Sequence, residues 1–379
     1  MKTVNFLANL AKASLSITET VRKVVNGQLS ILVIFCMFVS CSQSSAPVPI
    51  YAWTGANPEN ADELFTQLKS HGVTGVCCGD NAEVARIAHA HGLEYHVWTG
   101  SMCDGSRGDS TLYAVNRNGQ SAYSKPAFVD HYKFLCPQKE EVFQYLNERY
   151  TAIADIPDVD FIHLDFIRFP DVILARGLWD KYGLVMDEEY APADYCYCNQ
   201  CVAAFKTASG IDIQSLEDPS QCPEWKQFRY DQITTLVNRL AANIHAKGKK
   251  ISAAVFPGPT LAKKLVRQEW NKWDLDAVFP MNYNDFYLEG AGWLESICRE
   301  EAAAVNGRIP VYSGLFICPD WKHKAEKEDP EDHGLLPSEM EEAVLGSLRG
   351  GASGICLFTP GRMSEEHWQA LDKAVQSIK

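Results

Sequence analysis

The sequence predicts a (β/α)8 barrel, and three observations support this fold class. Short β-branched and apolar segments alternate with longer amphipathic segments from residue 49 to the C-terminus. Eight such strand-then-helix units are present, which is the number that closes a parallel barrel. The central segment, residues 159–170, is mostly apolar without strict alternation, as expected of a strand buried on both faces.

The predicted elements follow one another in regular order. The strands cover residues 49–54, 73–78, 93–99, 159–165, 250–256, 275–282, 309–317 and 353–358. The helices cover residues 59–71, 82–91, 138–154, 224–247, 261–271, 291–305, 338–349 and 364–378. Gly72 and Gly92 end the first two helices, since glycine readily adopts the left-handed conformation found there. A hairpin turn is predicted at residues 116–119, and a cysteine-rich insertion, residues 171–222, follows the fourth strand.

Composition narrows the class of protein and of partner. The chain has 379 residues, 46% of them hydrophobic, which is enough for one large domain over residues 50–379. The formal net charge of −13 argues against binding to polyanions, because a negatively charged chain would repel such partners. We therefore expect no nucleic-acid partner and no direct attraction to an anionic membrane surface.

Residues 1–41 have the pattern of an export signal. Arg22 and Lys23 precede an apolar run, residues 29–39, which is too short to anchor the chain across a bilayer. Ser40 and Cys41 follow, then a polar linker over residues 42–49. This order resembles a bacterial lipoprotein signal in which Cys41 is lipidated. It predicts an exported protein anchored by lipid at the periplasmic face of the outer membrane or at the cell surface; an ordinary secretory signal without lipid is the alternative.

The end of the fourth strand carries the first candidate catalytic residue. Asp165 ends the apolar segment, and Arg168 and Pro170 follow it. A carboxylate at the end of a buried strand must be solvated by a cleft or paired, because an isolated buried charge is very costly. Catalytic residues of (β/α)8 barrels lie at the carboxyl ends of strands, so Asp165 is predicted to be catalytic and Arg168 to hold a substrate oxygen. A purely structural Asp165–Arg168 pair is the alternative.

The other strand ends carry side chains suited to sugars. Aromatic faces match the apolar faces of pyranose rings, while carboxylate, amide and imidazole groups bind hydroxyls. The predicted substrate-binding residues, besides Arg168, are Trp53, Asp80, His96, Trp98, Asn282, Tyr283, Tyr312 and Asp320. Their collection at one face of one barrel predicts a carbohydrate partner.

Glycosidic cleavage usually needs a second carboxyl group across the bond. Asp285 is the preferred candidate, because it follows the sixth strand directly after Asn282 and Tyr283. Asp80 and Asp320 are the alternatives. A structural role for Asp285 at the entry to a helix is nearly as well supported by the sequence.

The cysteines form a pattern of their own. Cys196, Cys198 and Cys201 fall within six residues, a spacing that suits convergence on one tetrahedral Zn²⁺ better than mutual disulfides. Cys136, at the head of the third predicted helix, is the candidate fourth ligand. A disulfide with free thiols is the alternative, since export favours oxidation. Cys77, Cys78 and Cys356 are predicted as core thiols, whereas Cys103, Cys222, Cys298 and Cys318 stay unassigned.

These motifs together resemble known families. A Cys-Pro heading that helix, a carboxylate on strand four and Cys-x-Cys-x2-Cys resemble the zinc site of family 42 β-galactosidases, which implies one structural zinc held by the four cysteines. The strings His-Leu-Asp-Phe-Ile-Arg-Phe-Pro, Pro-Met-Asn-Tyr and Val-Tyr-Ser-Gly-Leu resemble glycosyl-hydrolase-like barrel lipoproteins of Bacteroidota, over residues 50–379. The Asn-Glu pair of family 42 is absent where Asp165 stands, so β-galactosidase activity is not implied.

Residues and resemblance together predict a glycoside hydrolase acting on a poly- or oligosaccharide. The alternative from another class is a non-catalytic carbohydrate-binding lipoprotein on the same scaffold. Zinc-dependent hydrolysis is disfavoured, because four thiolates close the metal's coordination sphere and leave no position for water.

Overall fold

The computed structural model describes residues 47–378 and contains eight parallel strands in that range. Each lies within three residues of its predicted position, which confirms the predicted fold class. The strands are β1 (Ile50–Trp53), β2 (Gly75–Cys78), β3 (Glu94–Gly100), β4 (Phe161–Asp165), β5 (Lys250–Val255), β6 (Ala277–Pro280), β7 (Tyr312–Phe316) and β8 (Gly354–Phe358). The predicted export signal, Cys41 and most of the linker lie outside the described residues.

The sheet curls into a nearly closed barrel. Strand order is β6-β5-β4-β3-β2-β1-β8-β7, so β1 pairs with both β2 and β8. Two parallel bridges, Val278 with Val311 and Met281 with Gly314, join the outer strands β6 and β7. The carboxyl ends of all eight strands therefore surround one mouth.

Helices cover the outside of the barrel. They are α1 (Ala61–Ser70), α2 (Ala82–Ala90), α3 (Glu140–Ala154), α4 (Trp179–Tyr182), α5 (Asn199–Ser209), α6 (Pro223–Ala246), α7 (Pro259–Val266), α8 (Trp293–Val305), α9 (Pro337–Arg349) and α10 (Glu365–Gln376). The start of α2 illustrates the local chemistry: the Asn81 side chain accepts hydrogen bonds from the backbone N–H groups of Glu83 and Val84. No helix within residues 47–378 has the length and apolar character needed to cross a membrane.

The insertion between β4 and α6 contains α4 and α5 and is held to the barrel by buried charge. Asp194 in the insertion pairs with Arg229 of α6 and lies 3.4 Å from Arg267, while Arg267 also pairs with Glu189 at 2.5 Å. The Tyr197 hydroxyl donates to Asp194 at 2.6 Å. Because an unpaired buried charge is very costly, these contacts hold the insertion in one position on the barrel.

Candidate active site and metal centre

A cavity of about 310 Å³ lies at the carboxyl ends of the strands. Most of its lining is aromatic, and strands β1, β3, β4, β5 and β8 each contribute a residue to it. The lining residues are Trp53, Trp98, Tyr132, Asp165, Phe166, Arg168, Asp171, Ala175, Leu178, Ala254, Phe256, Met281, Tyr283, Phe286, Tyr287, Glu331 and Phe358. A largely aromatic cavity with a few polar groups is typical of small-molecule and sugar binding.

Asp165 ends β4 and is partly exposed to the cavity. The indole Nε1 of Trp98 donates to its Oδ2 at 3.0 Å, and the backbone N–H of Phe166 donates to its Oδ1 at 2.7 Å. Burial raises the pKa of Asp165 above its ordinary value, although these two donors oppose the shift. The carboxyl is therefore held in one orientation and is a weaker acid than an ordinary aspartate.

Arg168 does not pair with Asp165. Its Nη1 donates to Oδ2 of Asp171 at 2.8 Å and to the backbone oxygen of Phe169 at 3.0 Å. Its Nη2 lies 3.3 Å from the Tyr132 hydroxyl. The guanidinium also lies 5.0–5.6 Å from the ring centres of Tyr132, Phe134, Phe166 and Phe256. Among the described residues Asp165 has no ion-pair partner, because Arg168 is fully engaged elsewhere.

The structure brings four of the nine predicted substrate-binding residues to the cavity. These are Trp53, Trp98, Arg168 and Tyr283. His96 and Tyr312 lie inside the barrel below the cavity, where Tyr312 begins β7 and packs 4.5 Å from Tyr51 between ring centres. Asn282 points into the layer between the barrel and α8, towards Glu301 and Ser313. Asp80 is exposed and Asp320 pairs with His323; neither lines the cavity.

Asp285, the predicted second carboxylate, is engaged in a loop contact. It lies 3.2 Å from Nζ of Lys324 and accepts the backbone N–H of Gly334 at 2.9 Å. It thereby ties the loop after β6 to the loop after β7, and it is not among the lining residues.

The cavity carboxyls other than Asp165 are Asp171 and Glu331, which the sequence did not single out. Asp171 is buried against Arg168, and its position three residues after Arg168 was the available signal. Glu331 is exposed, pairs with Lys181 at 2.9 Å and lies in a loop without a strand pattern.

The four predicted zinc ligands form one compact group, which we call the cysteine cluster: Cys136, Cys196, Cys198 and Cys201. Their sulfur atoms all lie within 4.8 Å of one another, and Cys136 lies 3.7 Å from Cys198 and 3.5 Å from Cys201. A tetrahedral ion with Zn–S bonds of about 2.3 Å needs sulfurs about 3.8 Å apart, whereas a disulfide needs about 2.05 Å. The donor set and its spacing therefore fit a metal ion.

Further features agree with a metal site. The backbone N–H of Val115 donates to the Cys196 sulfur and the Gln232 amide to the Cys201 sulfur, each at 3.3 Å. Such donors orient and stabilise thiolates. All eleven cysteines within residues 47–378 are free thiols, so the disulfide alternative is not found there. Cys77, Cys78 and Cys356 are fully buried, as predicted.

The cysteine cluster is joined to the cavity by backbone hydrogen bonds. Leu135, next to Cys136, donates through its N–H to the oxygen of Met102 at 2.8 Å. Met102 in turn donates to the oxygen of Phe166 at 3.2 Å. Phe166 is the residue whose own N–H contacts Asp165, so the cluster supports the segment that holds this carboxyl.

Comparison with models of known protein families gives no match, and comparison with curated proteins gives none. Solved structures do resemble the chain. The PgaB (BpsB) glycoside hydrolase domain from Bordetella bronchiseptica aligns with a TM-score of 0.62 at 11% identity, covering 87% of this chain and 99% of that one.

Two further structures align at similar identity. The catalytic domain of β-amylase from Paenibacillus polymyxa gives a TM-score of 0.53 at 11% identity, over 87% of this chain and 98% of its own. A class V chitinase from Pseudomonas fluorescens Pf-5 gives a TM-score of 0.52 at 12% identity, and the alignment covers 87% of this chain and 100% of the chitinase chain. The chain therefore shares the TIM-barrel fold of these glycoside hydrolases, and the narrower family resemblances stay predictions.

Proposed function

We propose that this protein is a glycoside hydrolase acting on a poly- or oligosaccharide, with Asp165 as the proton donor. The observation that carries the proposal is the setting of Asp165: a carboxyl with a raised pKa, free of ion pairs among the described residues, at the carboxyl end of β4 in an aromatic cavity. The fold shared with three glycoside hydrolases supports it.

The contacts of Asp165 suit a general acid. A raised pKa makes Asp165 more readily protonated than an ordinary aspartate, and in the proposed role that proton passes to the leaving glycosidic oxygen. The carboxylate formed by that transfer is stabilised by the donors already present, the Trp98 indole and the Phe166 N–H. Trp98 and Tyr283, which are both partly exposed, supply aromatic surface for the sugar ring, and Trp53 lies beneath with only 1% of its surface exposed.

For the second carboxylate we propose Asp171 in place of Asp285. Asp171 lines the cavity and lies 2.8 Å from Nη1 of Arg168, so it places a second carboxyl in the cavity for the role of base or nucleophile. Asp285 is not among the residues that line the cavity and instead joins two loops through Lys324 and Gly334. Asp165 and Asp171 thus have different environments, since only Asp171 has an ion-pair partner among the described residues, and such a difference is what separates an acid from a base.

The proposal also includes a structural metal and a location in the cell. We propose one structural zinc in the cysteine cluster, where four thiolates close the coordination sphere and exclude a water ligand. We also propose export and lipid attachment at Cys41, supported by the pattern of residues 29–45. Cys41→Ala should release the protein from the membrane fraction and abolish incorporation of labelled palmitate; a variant that stays membrane-bound would contradict this.

The deciding experiment is reducing-sugar release from starch, chitin oligosaccharides, galactan and peptidoglycan. Wild type should cleave at least one of them, and Asp165→Asn should lose on the order of 10²- to 10⁴-fold in rate because no transferable proton remains. If wild type binds a sugar of this panel and cleaves none, the chain is a carbohydrate-binding protein and the enzymatic proposal is wrong.

A further inference from the structure

A chain of hydrogen-bonded side chains runs through the barrel interior beneath the cavity. We call it the axial chain: Trp53, His163, Ser252, His96 and Glu94. The two histidines and the serine are fully buried. Trp53 lies at the cavity floor, whereas Glu94 begins β3 at the opposite end of the barrel. The proposed acid and base use none of these contacts.

Each hydrogen in the axial chain has one consistent position. An indole N–H only donates, so His163 Nε2, 2.9 Å from Trp53 Nε1, must accept. A neutral His163 then carries its proton on Nδ1, which donates to Ser252 Oγ at 2.8 Å. The Ser252 hydroxyl donates to His96 Nδ1 at 3.1 Å, and His96 Nε2 donates to Glu94 at 2.9 Å. The two histidines therefore hold opposite tautomers.

The charges agree with this assignment. Burial lowers the pKa of His163 well below its ordinary value, and burial also lowers the pKa of His96, although Glu94 opposes that shift. Both imidazoles are thus neutral at neutral pH. Glu94 also accepts the Tyr51 hydroxyl at 2.7 Å, so the far end of the axial chain is anchored by two donors.

Close packing against Gly314 restricts the position of the Trp53 indole. A Cβ built on Gly314 would lie 3.0 Å from two carbons of the indole and 2.7 Å from the oxygen of Pro280, so glycine makes the room that the ring occupies. Turning the ring would leave its N–H buried without an acceptor, which is costly. Gly314 therefore defines the slot and His163 defines the orientation within it.

A buried metal is the competing occupant of this region. Ligand atoms of Cys77, His96 and His163 lie within 4.8 Å of one another. However, all four ring nitrogens are already engaged by Trp53, Ser252 and Glu94. A metal would have to displace at least one of these hydrogen bonds, so the geometry favours the hydrogen-bonded chain.

We propose that His163 is a positioning residue that orients Trp53 as the floor of the carbohydrate cavity, and that Glu94 sets the required tautomer from the far end of the barrel. The orienting effect on a sugar rests on the proposed function. The tautomers and the indole hydrogen bond do not.

The first test is NMR of the full-length chain labelled with ¹⁵N at histidine and tryptophan, with signals assigned by His163→Gln, His96→Gln and Trp53→Phe. His163 should carry its proton on Nδ1 and His96 on Nε2. Ser252→Ala should disturb the His163 and Trp53 signals, whereas Ser313→Ala, a buried serine of β7 that contacts Asn282 outside the axial chain, should not. A proton on Nε2 of His163, or a second metal equivalent bound by His96 and His163, would overturn the proposal.

The second test compares His163→Gln with His163→Leu on whichever panel substrate wild type cleaves. Glutamine keeps an acceptor for the indole, so KM should stay near wild type; leucine removes it, and KM should rise roughly tenfold with kcat less affected. An unchanged KM and an unchanged Trp53 signal in His163→Leu would refute positioning. If wild type cleaves nothing, the proposed function fails while the NMR result still decides the axial chain.

Discussion

The Nε1 of Trp98 on β3 lies 3.0 Å from Oδ2 of Asp165 on the neighbouring strand β4, so an uncharged donor holds this partly exposed carboxyl. This single contact influences both the position and the acidity of Asp165, because a hydrogen bond to the charged form lowers a pKa.

We predict that Trp98→Phe raises the pKa of Asp165 further and slows the reaction. Without the indole donor, the pKa-raising effect of burial is opposed by one hydrogen bond fewer. Asp165 then stays protonated to a higher pH, and the alkaline limb of the kcat/KM profile shifts to higher pH. The rate should fall about 10- to 100-fold, since the carboxylate left by proton transfer loses a charge-assisted hydrogen bond. A pH–rate profile measures both effects; Trp368→Phe, on α10 and outside the cavity lining, is the control. An alkaline limb that moves downward would contradict the assignment of the acid.

We predict opposite effects on activity for Asp171→Asn and Asp285→Asn. Asp171→Asn should abolish most activity, by about 10²-fold or more, and lower the melting temperature, because Arg168 would stay buried without its partner. Asp285→Asn should keep activity, because it breaks only a contact with Lys324 and Gly334. Rates are compared well below both melting temperatures, so that unfolding does not contribute. An inactive Asp285→Asn beside an active Asp171→Asn would restore the sequence-based choice.

The cysteine cluster should hold about one zinc per chain. Cys196→Ser should lower the zinc content and the melting temperature, because metal binding stabilises the segments that supply its ligands. Cys222→Ser is the matched control, as this thiol precedes α6 and lies outside the cluster. Metal analysis and thermal unfolding check both variants; unchanged zinc in Cys196→Ser would refute the ligand assignment.

Glu301 on α8 should make the fold less stable at alkaline pH. Burial raises the pKa of Glu301 to about 8, despite hydrogen bonds from the Gly258 N–H and the Asn282 amide. Between about pH 4.3 and 8 the folded chain therefore binds more protons than the unfolded chain, so the free energy of unfolding falls as pH rises.

Glu301→Gln should remove this contribution to the pH dependence. The contribution lowers the free energy of unfolding by at most about 1.4 kcal/mol per pH unit. Relative to wild type, the variant should gain stability as the pH rises from 5 to 8 in urea unfolding. Glu63→Gln, at an exposed position in the first turn of α1, is the control. A constant difference between Glu301→Gln and wild type across this range would show that Glu301 is not protonated in the fold.

The regular features of the molecule were readable from the sequence. Strand count, the insertion and the Cys196, Cys198 and Cys201 part of the cysteine cluster follow from periodicity and spacing, which depend on local residue order, whereas Cys136 was assigned from its position just before the fourth strand of the predicted barrel. The positions of Asp165, Trp53 and Trp98 at one cavity followed as well, because strand ends of a parallel barrel share a mouth.

Residue partners were less predictable. Arg168 has a carboxylate three residues away on each side, Asp165 and Asp171, and only the turn after β4 decides between them. Asp285 and Glu331 sit in loops whose paths depend on tertiary contacts rather than on a periodic pattern. His96 and Tyr312 were assigned to the right strands but to the wrong height in the barrel, since alternation indicates the face of a strand and not the depth along it.

The link from the cysteine cluster through Leu135 and Met102 to Phe166 changes how a chelation experiment must be interpreted. If the cysteine cluster holds the proposed zinc, stripping it would loosen the backbone behind Asp165, a carboxyl that lies outside the cluster. Activity lost on chelation would then resemble that of a metal-dependent enzyme. Two observations would show that the metal is structural rather than a participant in the reaction. Activity would be lost slowly, together with unfolding of the loops, and it would recover only after refolding with metal.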